Sequence, residues 1–265
     1  MAVAKSKVKR YYIQGSVVPF EEDMTHEFKG HRNFAIEELP IWAREKKNEG
    51  ATRKPVSGNL AAFLNTGKGG TVYLGITDDG DVLGLKLTHY QKDHIIGNMH
   101  DLFSRYKPRV PPHRYTVKFV PVINKASSPQ DILRQCSYNS SESTEVLNRE
   151  RPHVYRSDKY CWCDKDAVAQ YNTGLIPSDY VIEVCVKPWD SRDVRNTDGI
   201  GSLVHINPIY ENEEGFIYMR RQASIVKYSM NEVAQLSRQQ MKEACEAEML
   251  RLKEEISQRK LLKAS

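Results

Sequence analysis

The sequence predicts an α+β fold, a mixed and mainly antiparallel sheet with flanking helices and a long helix at the C-terminus. Three observations carry this prediction. Runs rich in β-branched and aromatic residues alternate with stretches of helical spacing. One pair of such runs flanks an Asp-Gly turn. From about Asn231 to Ser265 the pattern is helical throughout.

Taken in order, residues 1–15 form a basic arm ending in Tyr11-Tyr12, with Lys5, Lys7, Lys9 and Arg10 and no acid in its first ten residues. The whole chain has 39 Lys+Arg against 34 Asp+Glu, a net charge of +5, so the arm holds most of the excess. A basic arm on a nearly neutral body suits a polyanion such as RNA or DNA, and a solubilising terminus explains it equally well. Phe34 to Lys47 is helix-like but contains Pro40, which should start or kink a helix. Val56 to Leu64 has helical apolar spacing and should stop at Asn65-Thr66-Gly67. Thr71 to Leu85 reads as two strands around a two-residue Asp79-Gly80 turn. The stretch 124–150 turns polar, including SYNSSESTE at 137–145, and predicts a mobile surface loop. Strand patterning returns at Tyr180–Val186 and Gly215–Met219. The last helix has one apolar stripe, Met241, Cys245, Met249, Leu252 and Ile256. It is too short for a coiled coil and is expected to pack on its own domain rather than on a partner helix. The implied organisation is an arm at 1–15, a core domain at 16–236 with a polar insert at about 124–175, and an amphipathic helix at 237–265.

Composition excludes several classes. With 40% apolar and 28% charged residues the chain should fold. It has no apolar run near the roughly 20 residues of a membrane span, and no apolar stretch follows the basic start as a secretory signal requires. Five cysteines, an odd and sparse set, point to a reducing compartment without a disulfide framework. A cytoplasmic location is expected, with the nucleus as the alternative. Gly67-Lys-Gly-Gly70 lacks the glycine–lysine spacing that cradles a triphosphate.

The segment Glu22-Asp-Met-Thr-His-Glu27-Phe-Lys29 carries the first chemical signal. On a strand, Glu27 and Lys29 share a face. Carboxylates beside an ammonium resemble the working parts of a metal-dependent nuclease, since carboxylate oxygens suit Mg²⁺ or Mn²⁺. Taken alone, a surface ion pair explains these residues as well. The ordered set Thr25-His26-Glu27-Phe28-Lys29, Ala61-Ala-Phe-Leu-Asn-Thr66, Gly69-Gly70, Leu74-Gly75-Ile76 and Asp78-Asp79-Gly80 is more specific. With Tyr218-Met-Arg220, Ser224 and Met230-Asn-Glu232, it resembles the core of the Schlafen family, also called an AlbA-like domain, over roughly residues 20–236.

That resemblance implies a nuclease that cleaves structured RNA with three carboxylates and a divalent metal. Glu22 and Glu27 fall on the first two positions and Asp78 on the third, with Asp79 a one-residue alternative. Lys29 would balance charge or contact phosphate. RNA contacts are expected from Arg105, Lys107, Arg109 and Arg114, then from Arg220, Arg221 and Lys227, and from Lys7, Lys9 and Arg10 of the arm. Animal members with activity share a zinc site made of a His-x-Cys pair and a later Cys pair. Here His113 keeps the His, but Tyr115 and Asp190-Ser191 replace the cysteines, so a zinc site is not the expectation. Cys161 and Cys163, with His153 or Cys136, are the weak independent candidates. The expected function is a Mg²⁺- or Mn²⁺-dependent endoribonuclease acting on tRNA or small-RNA precursors such as piRNA precursors. A homodimer or a related Schlafen-like subunit would complete its RNA groove. The alternative is a non-catalytic RNA- or DNA-binding subunit, or a nucleic-acid-binding regulator of the same type.

Overall fold

The computed structural model describes residues 10–43, 54–137, 151–174, 179–196 and 207–264. Its main sheet runs β1–β5–β6–β3–β2, with β4 paired to β6. The strands are β1 (Tyr12–Ile13), β2 (His26–Lys29), β3 (Gly70–Leu74), β4 (Leu85–Lys86), β5 (Tyr115–Ile123) and β6 (Asp179–Val186). β1 is parallel to β5 and β2 to β3, while β3, β4 and β5 all run antiparallel to β6. Strands β7 (Ile217–Arg221) and β8 (Ser224–Tyr228) form a separate hairpin.

β6 shows how the sequence positions the core. Its alternate residues Tyr180, Ile182, Val184 and Val186 enter one apolar cluster, while Val181 enters a second on the opposite face, as the period of two in a strand requires. Helices α1 (Ser57–Asn65) and α2 (His89–Ser104) cover the first face with Leu60, Phe63, Leu64, Ile95, Met99 and Phe103. Thr88 and Gln91 form a reciprocal capping box at the start of α2. The second face is filled by Tyr12, Phe28, Tyr73, Val120 and Val122.

Helix α1 ends where the sequence placed its stop, but Asn65 does more than break the helix. Its amide donates to the carbonyls of Tyr210 and Tyr218 and its oxygen accepts from the Tyr210 amide, so α1 is tied to the segment leading into β7.

Several expectations change. Around Pro40 there are two short 3-10 turns, Ile36–Glu38 and Ile41–Ala43, rather than a helix; residues 44–47 lie outside the described residues. The turn after β3 has three residues, Asp78-Asp79-Gly80. Gly80 donates to the Thr77 carbonyl and has φ +85°, while neither Asp has a positive φ. This is a type I turn closed by a left-handed glycine. Beyond it a single Ile76–Val82 bridge joins the two runs, and β4 pairs with β6 instead of β3. The polar stretch contains α3 (Pro129–Ser137), and the insert holds α4 (Trp162–Asn172); residues 138–150 lie outside the described residues.

Helix α5 (Met230–Ala264) begins at a Ser229–Glu232 capping box. Val233 is the last buried side chain among the described residues of α5. The stripe residues Met241, Met249, Leu252 and Ile256 are exposed rather than packed on the domain. Among the described residues, no helix is long and apolar enough to cross a membrane.

Candidate functional site

The loop before β2 is shaped by Asp23, whose Oδ1 accepts from the amides of Thr25 and His26 at 2.6 and 2.8 Å. This turn leaves Glu22 half-buried, with Oε1 accepting from the Phe28 amide at 2.8 Å. Burial raises the Glu22 carboxyl above the ordinary range. The Phe28 hydrogen bond and Lys29 oppose that rise, and the charges of Glu27 and Asp78 add to it. Glu22, Glu27 and Asp78 therefore share one electrostatic neighbourhood.

Along β2, Phe28 points into the core while Glu27 and Lys29 share the other face. Lys29 Nζ donates to Glu27 Oε1 at 2.5 Å and to the Phe28 carbonyl at 2.8 Å. Asp78 is exposed at the tip of its turn. Two adjoining depressions meet there, each of about 500 Å³. One is lined by Glu22, Asp78 and Asp79, the other by Glu27, Lys29 and Asp78. Asp78 borders both and Asp79 only the first, so Asp78 shares a depression with each glutamate. Lys54 and Asn59 also line the second depression. Sequence reasoning missed both: Lys54 adjoins a stretch without family motifs, and Asn59 lies within an apolar helical pattern.

The basic residues divide sharply. Arg220 has a side chain with no exposure; it forms an ion pair with Glu27 Oε2 and donates to the carbonyls of Asp23 and His26 at 2.8 Å each. Its guanidinium also lies over the Phe63 ring. It is a clamp between β7 and β2, and burial keeps it from RNA. Arg114 is likewise buried, against the Trp189 ring. Arg105 is paired with Glu37 and Asp101, and Arg10 with Glu183 at 2.7 Å. Lys107, Arg109, Arg221 and Lys227 are exposed. The last two sit on the β7–β8 hairpin, whose Ala223 and Ser224 border the second depression. Lys7 and Lys9 lie outside the described residues. Of the cysteine and histidine candidates, His113 pairs with Asn196 at 3.0 Å. Cys161 and Cys163 are free thiols buried at the start of α4.

The model of the family described as Schlafen, AlbA_2 matches residues 22–229, most of the chain, and the chain belongs to that family. Membership suggests a nucleic-acid-binding or nuclease-like function.

Proposed function

We propose that the chain is a metal-dependent endoribonuclease that cleaves small structured RNA such as tRNA or a small-RNA precursor. Glu22, Glu27 and Asp78 would hold Mg²⁺ or Mn²⁺. The observation that carries this reading is the convergence of the three acids, since Glu22 and Asp78 border one depression and Glu27 and Asp78 the one adjoining it. Clustered carboxylates ionise together most readily around a cation, and three oxygen donors suit a hard one. When bound, the ion would activate water and neutralise the leaving oxygen of a phosphodiester. Glu27 would be free to hold the ion only if Lys29 gave up Oε1, and the released ammonium would then be available to a phosphate. Arg221 and Lys227 would hold the RNA backbone beside the groove. A second copy or a related Schlafen-like subunit would complete the groove, with the exposed stripe of α5 as one contact.

A second reading is a non-catalytic RNA- or DNA-binding subunit. It is favoured by one specific observation: both Glu27 oxygens are already engaged, by Lys29 and Arg220. Purified protein incubated with a structured small RNA separates the two. The nuclease reading expects cleavage with Mg²⁺ or Mn²⁺, none in EDTA, and a loss of at least about a hundredfold in Asp78→Asn with RNA affinity retained. Binding without cleavage under every metal condition supports the second reading.

A further inference from the structure

We propose that His94, His153, Cys161 and Cys163 form a structural zinc site that staples the insert onto α2. The two imidazoles and two thiols come from α2, from the extended segment 151–160 and from the start of α4. Their ligand atoms all lie within 4.8 Å of one another. Cys161 Sγ is 3.6 Å from His153 Nδ1, and Cys163 Sγ is 3.6 Å from His94 Nδ1. A tetrahedral ion with Zn–S of about 2.3 Å and Zn–N of about 2.0 Å separates sulfur and nitrogen ligands by roughly 3.6 Å. Two of the sulfur–nitrogen pairs therefore already have the spacing such an ion requires, and the remaining pairs lie within 4.8 Å. Two sulfurs with two imidazoles select zinc over the hard cations expected at the carboxylates.

Two features of the surroundings favour negative sulfur. Cys161 is the N-cap of α4 and Cys163 lies in its first turn, where the helix dipole favours negative charge. The Val154 amide donates to Cys161 Sγ at 3.3 Å. Both cysteines are buried, at 1% and 0% exposure, and both histidines are half-buried, as suits a structural zinc site. The imidazoles are held in place as well. The His153 ring stacks on Trp162 at 5.0 Å and 11°, and His94 meets His153 edge-on. Gly97, one turn after His94 on α2, permits this approach, since a Cβ there would overlap the Tyr155 hydroxyl. The position is also not the one implied by the family pattern: His113, which stands there, is paired with Asn196.

The test uses the full chain, purified under reducing conditions from zinc-supplemented medium. Elemental analysis should find about one zinc per chain, released by a thiol-modifying reagent. Replacement with Co²⁺ should give a tetrahedral spectrum with thiolate-to-metal charge transfer, and the unfolding midpoint of the wild-type chain should drop in a strong chelator. Cys161→Ser with Cys163→Ser should abolish the charge-transfer band. Asp78→Asn should leave both zinc and band unchanged, so failure of the nuclease reading does not touch this one. The proposal is overturned if the reduced wild-type chain carries no zinc and gives no thiolate–cobalt band. A zinc content unaltered by the cysteine substitutions overturns it too, as does a Cys161–Cys163 disulfide in the native protein.

Discussion

Replacing Arg220 with Met tests the buried clamp directly. The substitution keeps an apolar body over Phe63 but deletes the guanidinium, and with it the Glu27 ion pair and the hydrogen bonds to the Asp23 and His26 carbonyls. Breaking a buried pair by removing one partner costs about 3–5 kcal/mol, because the remaining charge is stranded. Lys29 still holds Glu27 Oε1, which places the loss near the lower end, about 3 kcal/mol. For a chain of this size that is roughly 6–12 °C in melting temperature. Urea unfolding followed by circular dichroism measures it. In Glu27→Gln with Arg220→Met the buried carboxylate charge is gone as well, and the charge left without its partner is the partly exposed Lys29, so part of the loss should return. A single variant within about 1 kcal/mol of wild type, or a double variant no better than the single, refutes the reasoning. So would a change in the salt dependence of RNA binding, because a side chain without exposure has no phosphate to meet.

Three further outcomes follow from the same structure. Burial pushes the Glu213 carboxyl up to about 7, against the pull of the Ser57 hydroxyl. Between its ordinary value and pH 7 the folded state holds a proton the unfolded chain has released, so this group's contribution falls as pH rises to about 7 and then levels. Glu213→Gln should therefore gain on the order of 2–3 kcal/mol over wild type at pH 8 and much less at pH 5 in urea titrations; an equal gain at both pH values contradicts this. Lys107→Gln with Arg109→Gln should lower the salt slope of RNA binding by about two without loss of stability, whereas Arg105→Gln should cost stability through Glu37 and Asp101. Leu252→Glu with Ile256→Glu should leave the fold intact, since both side chains are exposed, and should abolish any self-association seen by light scattering.

Periodicity made some elements legible and left others hidden. The alternation of β6, the apolar spacing of α1 and the capping box of α5 are local signals, and each element forms where its pattern lies. The same logic set Glu27 and Lys29 on one face of β2. What depended on distant partners was not readable. Arg220 looks like any surface cation until β7 is laid against β2, and only then is its fork seen to be filled by Glu27 and two carbonyls. The turn at Asp78-Asp79-Gly80 took an extra residue because β4 is drawn to β6, leaving a single bridge where a longer ladder was expected. Helices α3 and α4 were hidden by polar composition. The sequence places His153 near Cys161 and Cys163, but His94, far off along the chain, joins them only once α2 lies against the insert.

The place of β6 in the sheet has a consequence for how the protein is made. β2 and β3 form one half of the sheet, β1 and β5 the other. Among the described residues the strand touching both is β6, which begins at Asp179. While the ribosome is still building the first two-thirds of the chain, the two halves meet through short backbone contacts such as the Val17–Asp81 bridge but lack their central strand, and both expose edges that invite wrong partners. Completion must wait for distant pairing, which favours slow, late closure. Truncation anywhere before Val186 should therefore yield not a smaller working domain but an aggregation-prone fragment.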